Sequence, residues 1–166
     1  MRAIGASNYE AKRLAEALSI SESAHYPSYV SLQPYYNLYD RARFEETLEP
    51  LCLAKGLGVL SYFSLAKGFL TGKYRSEEDL RKSPRGTGIA RYLDARGFQI
   101  LKSLDEISLI RNTTPAVVAL AWLIQRPSIT APIASATSVE QLTELVQALT
   151  LDLTEDDIAK LDIASS

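Results

Sequence analysis

The sequence predicts an α/β fold in which four parallel strands alternate with helices. Three observations support this prediction: four short apolar segments recur along the chain, helical patterns of apolar residues separate them, and turn or capping residues mark the boundaries. Strands that alternate with helices form parallel sheets with right-handed crossovers. The pattern fits either a doubly wound open sheet or part of a (β/α)8 barrel.

The first two strand and helix units occupy the start of the chain. We expect the first strand at 2–6, and Ser7 or Asn8 can cap the helix that follows it. The second strand is expected at Tyr29–Gln33, and it leads to a helix in which Pro50 predicts a kink or a break.

The third unit contains a much longer loop. Gly56 can end the preceding helix in a left-handed conformation, and the third strand, 57–62, has the unalternating composition of a strand that is buried on both faces. A loop then runs from Ser64 to about residue 94, and loops of this length are often functional. Its Arg85 and Arg91 can either fold over a ligand or stay solvated.

The last third of the chain contains the fourth strand, which we expect at 129–133. Thr114 and Pro115 begin the helix before it, and this helix is apolar nearly all round, so it should be deeply packed. Ser138 and Gln141 predict a capping box at the start of the helix after it.

Two helices therefore follow the fourth strand, and the second is a short terminal helix that begins at Thr154. The apolar residues that we expect to form the buried stripe of the first of them are Leu142, Leu145, Val146 and Leu149.

Composition and charge argue against several classes of function. The formal net charge is −2 and the basic residues are spread along the chain, which disfavours nucleic acid as the main partner. One Cys and one His can form neither an internal disulfide nor a typical zinc site. No apolar run has transmembrane length and no signal-peptide pattern opens the chain, so we expect no membrane association and a cytoplasmic location.

Polar residues follow each predicted strand at its carboxyl end, where parallel α/β folds place their functional groups. Each also has a simpler explanation. Ser7 and Asn8 fit a helix cap, Gln33 an ordinary loop residue, Tyr62 a core aromatic residue with a satisfied hydroxyl, and the polar run at 135–138 a loop and a cap.

Taken in order, these strand ends resemble strands five to eight of the aldo-keto reductases, most closely the bacterial, broad-specificity members. The resemblance covers almost the whole chain. The segments that carry it are IGASNY at 4–9, LQPYYN at 32–37, LSYFSLAKGFLTGKY at 60–74, TPAVVALAW at 114–122 and APIASATSVEQL at 131–142.

The resemblance implies that residues 1–166 form one oxidoreductase domain that is half of a TIM (β/α)8 barrel. It would contain four βα units and a short C-terminal helix, and it would be truncated at its N-terminus, since Met1 falls where the family's fifth strand is already under way. Four strands cannot close an eight-stranded barrel, so we expect open sheet edges and possible self-association through them.

Family members bind NADP(H) and transfer hydride to a small-molecule carbonyl substrate. By the resemblance, Ser7, Asn8 and Gln33 would hydrogen-bond the nicotinamide carboxamide, whose edge offers both donors and acceptors. Tyr62 would stack on the nicotinamide ring.

The resemblance also implies sites for the rest of the dinucleotide. Backbone amides and a cation would oppose the pyrophosphate, and a helix N-terminus would favour the 2′-phosphate. The residues along the pyrophosphate would be Ser64, Leu65, Gly68 and Lys73. Those around the adenosine ribose and 2′-phosphate would be Ala134, Ser135, Thr137, Ser138 and Gln141, with Glu144 near adenine.

Some positions depart from the family pattern. Phe63-Ser64 replaces the Ser-Pro of many relatives, Leu145 replaces an Asn near adenine, and Gln141 replaces an Arg near the 2′-phosphate. These changes leave the preference for NADPH over NADH open.

The family's proton-donating Tyr and its Asp, Lys and His partners lie on strands one to four, to which nothing in this sequence corresponds. We therefore expect no catalytic residue in the chain and no activity from it alone. Two alternatives remain: a non-catalytic nucleotide-binding or assembly module similar to channel β-subunits, and an inactive product of a truncated gene.

Overall fold

The computed structural model describes residues 2–82 and 88–166. A parallel sheet in the order β1-β2-β3-β4 contains Ile4–Ser7, Tyr29–Gln33, Gly58–Ser61 and Ala131–Pro132. The α-helices of the described ranges are α1 Ala11–Ser23, α2 Glu49–Lys55, α3 Ala95–Ile110, α4 Pro115–Ile124, α5 Val139–Val146 and α6 Glu155–Ser165. This architecture confirms the predicted α/β class and is consistent with part of a (β/α) barrel.

The register of the sheet brings all four carboxyl ends to one edge. Ser7 pairs with Gln33 at the end of β1 and β2, and an isolated bridge joins Tyr35 to Tyr62 beyond the ends of β2 and β3. The end of β4 is held by the Ile133 amide, which donates to the Ser61 carbonyl at 2.7 Å. The predicted strands are all present, but β1, β3 and β4 have different bounds from those expected.

Within the described residues, helices cover only one face of this sheet. Ala6, Leu32 and Val59 occupy matched positions on three strands, and all three are buried beneath the helices. On the opposite face the paired residues Gly5 and Ser31 are small and at least partly exposed. A Cβ at Gly5 would lie 2.5 Å from Ser31 Oγ, so a larger residue there would require the Ser31 side chain to turn away.

The expectation that the third strand is buried on both faces is wrong. Val59 and Ser61 are buried, whereas Gly58 and Leu60 between them are only half-buried. The sequence of β3 lacks polar alternation because its second face is lined by small and apolar residues, although no helix among the described residues packs on that face.

The caps and breaks read from the sequence are largely confirmed. Gly56 ends α2 with φ +62°, and Thr114 Oγ1 accepts a hydrogen bond from the Val117 amide with Pro115 as the first residue of α4. Pro50 lies in the first turn of α2, directly after a π-helical turn at Phe44–Leu48. The described parts of the loop after β3 contain 3-10 turns at Ala66–Thr71, Glu77–Lys82 and Ala90–Tyr92, which the sequence did not predict.

The predicted buried stripe of α5 is wrong in three of its four positions. Leu142 is 55% exposed and Leu149 is 69% exposed, Val146 is also exposed, and only Leu145 is partly buried. The physical reason is that α5 packs against α4 and the 3-10 turn Gln147–Leu149, and no further element of the described chain covers its outer face. An apolar face therefore remains on the surface.

α4 is the centre of the core, as its sequence predicts. Its Trp122 connects it to the C-terminal helix α6 through a hydrogen bond to Asp162. Arg41 and Arg126 lie over the indole ring, with the two guanidinium carbons 5.0 and 5.1 Å from its centroid. The indole Nε1 donates to Asp162 Oδ1 at 3.0 Å, and Asp162 pairs with Arg41 at 2.8 Å and Arg126 at 3.3 Å. Glu45 completes this network by pairing with Arg41 at 2.9 Å.

No single helix within 2–82 and 88–166 has the length and composition to span a bilayer. α3 and α4 meet that test only as a pair, and they are bent by 97° at the break between them.

Removing the Asp162 carboxylate is expected to destabilise the fold. In Asp162→Ala the buried indole N–H of Trp122 and two guanidinium groups lose a partner, which should lower the free energy of unfolding by about 1–3 kcal/mol. Urea denaturation followed by far-UV circular dichroism measures this change. The matched control is Ile163→Ala on the exposed face of the same helix, for which we expect a change below about 0.5 kcal/mol; equal effects of the two substitutions would refute the role of the network.

Candidate functional site

The residues predicted to hold a nicotinamide group contact one another at the carboxyl edge of the sheet. Ser7 Oγ donates towards Gln33, lying 3.1 Å from both its Oε1 and its backbone oxygen. The Tyr62 hydroxyl donates to Asn8 Oδ1 at 2.6 Å. Side chains from the ends of β1, β2 and β3 thus form two adjacent hydrogen-bonded pairs.

Ser7 and Asn8 do not cap the first helix. α1 begins at Ala11 after Glu10, which makes no side-chain capping bond. The chain instead turns at Asn8, which has φ +59° and whose amide donates to the Gln33 carbonyl at 3.3 Å. This rejects the simpler explanation of these two residues and leaves their side chains at the strand ends.

Left-handed backbone is concentrated at this edge. Besides Asn8, the residues Phe63, Ala66 and Lys67 have φ of +53°, +48° and +59° in the turn after β3. This conformation is costly for residues other than glycine, and such residues cluster where function requires a particular backbone shape.

An aromatic group that the sequence reasoning missed stands beside Tyr62. Tyr35, Tyr62 and Phe63 form a triangle with ring centroids 5.2–5.3 Å apart. Lys67 Nζ lies 5.4 Å from the Phe63 centroid, which places a cation next to the three rings. The departure from the Ser-Pro pattern at Phe63-Ser64 was the only signal in the sequence, since aromatic residues in a loop follow no period.

The four residues predicted along a pyrophosphate lie in the turn after β3, in different environments. Ser64 is buried and its Oγ donates to the Ser61 carbonyl at 3.1 Å, so its side chain is engaged within the protein. Leu65 is half-buried, and Gly68 has φ +99°. Lys73 passes close to Gly68 and its Nζ lies 5.1 Å from the Tyr74 ring centroid.

The residues predicted around adenosine form a second group at the end of β4. Ser138 caps α5 by accepting from the Gln141 amide at 3.3 Å, as the sequence predicts. The Gln141 side chain reaches one residue further back than a capping box requires, and its Oε1 accepts from the Thr137 amide at 2.9 Å. Ala134 and Ser135 are exposed in the loop before this turn.

Glu144 makes a structural contact. Its Oε1 accepts from Thr114 Oγ1 at 2.6 Å, which ties α5 to the start of α4. One carboxylate oxygen of the residue predicted near adenine is thus engaged within the protein.

The tyrosines near this edge are not arranged as acids. The Tyr35 and Tyr92 hydroxyls are 2.6 Å apart, and Tyr92 donates to Asp40 Oδ2 at 3.1 Å. Burial raises the pKa of Tyr35, and burial together with the Tyr35 hydrogen bond raises the pKa of Tyr92. A phenol with a raised pKa is a weaker proton donor. Arg91 pairs with Asp40 in the same cluster, whereas Arg85 lies outside the described residues.

The described residues provide neither a reactive cysteine nor a grouped set of metal ligands. Cys52 is buried, and burial raises its pKa to about 11, so it is a core thiol. Among the described residues, no three His, Cys, Asp or Glu side chains are grouped as a metal site.

Comparison with known proteins places this arrangement in a family. The sequence model of the Aldo/keto reductase family matches residues 1–166. L-glyceraldehyde 3-phosphate reductase of Escherichia coli O157:H7 is 30% identical over 96% of this chain and 48% of its own length. Protein tas of Escherichia coli K12 is 30% identical over 98% of the chain and 47% of its own length.

A putative voltage-gated potassium channel subunit beta of Schizosaccharomyces pombe is 32% identical over 95% of this chain and 48% of its own length. The chain thus spans about half the length of the curated relatives that it matches. The family model and the relatives agree along the whole sequence, and the chain belongs to the aldo/keto reductase family.

Proposed function

We propose that this chain is the cofactor-binding part of an NADP(H)-dependent aldo-keto reductase, whose complete reaction reduces aldehydes or ketones to alcohols. The observation that carries the proposal is the contact of Ser7 with Gln33 and of Asn8 with Tyr62 at one edge of the sheet. Hydroxyl and amide side chains at adjacent strand ends suit the carboxamide of a nicotinamide.

The neighbouring groups suit the other parts of a dinucleotide. A bound nicotinamide would supply the hydride, and the Tyr62 ring would set which face of it is exposed. Lys67 and Lys73 offer positive charge to a pyrophosphate beside the left-handed turn at Ala66 and Gly68. The N-terminus of α5 at Ser138 offers a positive dipole to a 2′-phosphate.

The same geometry argues that the chain alone does not reduce carbonyls. Proton transfer to a forming alkoxide needs a donor with a suitable pKa within hydrogen-bond reach. Tyr35 and Tyr92 are engaged with each other and with Asp40, and their raised pKa values oppose proton donation. We therefore assign binding to this chain and place the acid outside it.

Titration of the purified chain with NADPH, followed by its fluorescence, should show weak binding that depends on Gln33. We expect Gln33→Ala to weaken binding roughly five- to tenfold, because one or two hydrogen bonds are lost. Gln99→Ala on the exposed face of α3 is the matched control and should leave the affinity unchanged. Equal affinities of the two variants would count against the proposed site.

Addition of an aldehyde to the NADPH complex should give no oxidation of NADPH above a protein-free blank. Steady absorbance loss at the reduced-nicotinamide band, removed by Gln33→Ala, would show that the chain has a proton donor that we have not recognised.

A second role, as an assembly module, is favoured by the uncovered surfaces. Within the described residues the sheet has free edges at β1 and β4 and one open face, and apolar side chains are exposed on α5 and the turn after it (Val139, Leu142, Val146, Leu149). Contiguous apolar surface of this kind marks association sites. One relative is itself described as a channel subunit beta.

Sedimentation velocity tests this second role. The wild-type chain should show concentration-dependent association, and Leu142→Glu should shift it towards monomer, because a charge on the α5 face opposes its burial. Leu109→Glu is the matched control, since Leu109 is 83% exposed on α3, away from the sheet edges. A wild-type chain that stays monomeric at every concentration would exclude self-association.

A further inference from the structure

We propose that this chain binds NAD(H) and NADP(H) with similar affinity, because the turn into α5 offers a 2′-phosphate no cationic side chain of its own and places the Glu140 carboxylate at the start of the helix. The inference rests on the proposed function and adds the specificity of the dinucleotide site. A 2′-hydroxyl is neutral and both donates and accepts hydrogen bonds, so it suits this turn at least as well as a phosphate.

The segment that contains the turn has no positive charge. Between Arg126 and Lys160 the sequence contains no Lys, Arg or His, and it contains six acidic residues. Two of the six, Glu140 and Glu144, lie on α5 itself. A phosphate monoester adds nearly two negative charges to a ligand, and proteins that select one usually oppose that charge with Arg or Lys. This segment provides neither.

The Gln141 side chain is engaged within the turn. Its Oε1 accepts from the amide and from the hydroxyl of Thr137, at 2.9 and 3.1 Å. These two contacts hold the amide group of Gln141 towards the turn. A neutral amide in this orientation gives a phosphate no charge with which to pair.

Side chains of the same turn also engage its backbone amides. The Thr137 amide donates to Gln141, and the Gln141 amide donates to Ser138 Oγ at 3.3 Å. The Glu140 carboxylate accepts hydrogen bonds from its own amide and from the Ser138 hydroxyl, and these bonds lower the pKa of Glu140. The helix therefore has a carboxylate of its own at the end where its dipole favours an anion.

The cations of the turn after β3 have neighbours outside the turn into α5. Lys67 Nζ and Lys73 Nζ lie 5.4 and 5.1 Å from the centroids of aromatic rings in their own part of the chain. Arg75 donates two hydrogen bonds to Asp105, at 2.7 and 2.8 Å. Positive charge from the two lysines acts on the pyrophosphate, which NAD(H) and NADP(H) share, so it does not distinguish the two cofactors.

Fluorescence titrations of the full chain with NADPH and with NADH test this specificity. The two ligands differ only at the 2′ position, so the ratio of their dissociation constants reports on that position alone. We expect the two constants to agree within about threefold.

Two variants should change this ratio in a defined direction. Gln141→Arg places a guanidinium in the turn and should strengthen NADPH binding roughly tenfold, with NADH binding unchanged. Glu140→Gln removes the carboxylate that repels a phosphate and should strengthen NADPH binding about two- to fivefold, again with NADH binding unchanged.

Matched controls make the same changes of charge at other places. Gln147→Arg adds a positive charge in the 3-10 turn after α5, and Glu155→Gln removes a carboxylate from the first turn of α6. Both controls should keep the wild-type ratio. Equal effects of Gln141→Arg and Gln147→Arg would show that net charge sets the preference, and they would overturn the inference.

The outcomes separate this inference from the proposed function. If neither NADPH nor NADH binds, the nucleotide site is wrong and the inference falls with it. If both bind but the wild-type chain binds NADPH at least about tenfold more tightly than NADH, the 2′-phosphate is recognised, the nucleotide site stands and only this inference is wrong.

Discussion

The parallel register of the four strands is the constraint on which the rest of the structure depends. Ser7 opposite Gln33, and Tyr35 bridged to Tyr62, fix the carboxyl ends of β1, β2 and β3 at one level. Side chains alternate between the two faces of a strand, so a slip of one residue would turn Ser7 into the helix layer and put buried Ala6 on the open face. Burial of the face that carries Ala6 beneath the helices therefore determines the position of every group at the candidate site.

The two faces of the sheet differ because the helices of the described residues cover only one of them. Leu32, Val59 and the apolar helix α4 form the core on the helix side, and Trp122 extends that core to the C-terminal helix through Asp162. The open face is built from small, polar and a few apolar residues. Parallel sheets are usually covered on both faces, so this surface is incomplete by the ordinary rules of packing. A ligand at the carboxyl edge and a partner at the strand edges are compatible, because they use different parts of this surface.

The sequence predicts the elements whose signals are local. It does not predict features that depend on residues far away in the chain. The caps at Thr114 and Ser138 and the left-handed Gly56 were predictable, because a few adjacent residues determine them. The period of α5 showed an apolar face correctly but could not show that nothing covers it. Local sequence likewise could not show whether Ser7 and Asn8 cap a helix or belong to a functional site. The distinction depends on their contacts with residues at the ends of β2 and β3. The contact between Lys67 and Phe63 depends on a left-handed turn, and no periodic pattern in the sequence predicts that turn.

Two groups of polar side chains near one edge of the sheet differ in exposure and in hydrogen bonding. The Ser7, Asn8, Gln33 and Tyr62 group points polar atoms outward and is at least partly exposed, whereas the hydroxyls of Tyr35 and Tyr92 are joined to each other and to Asp40. The first arrangement exposes hydroxyl and amide side chains at the strand ends. In the second, the hydroxyls are hydrogen-bonded within the cluster and the pKa of both phenols is raised, which opposes proton release. Hydrogen bonding to a ligand therefore suits the first group, whereas proton donation is disfavoured in the second.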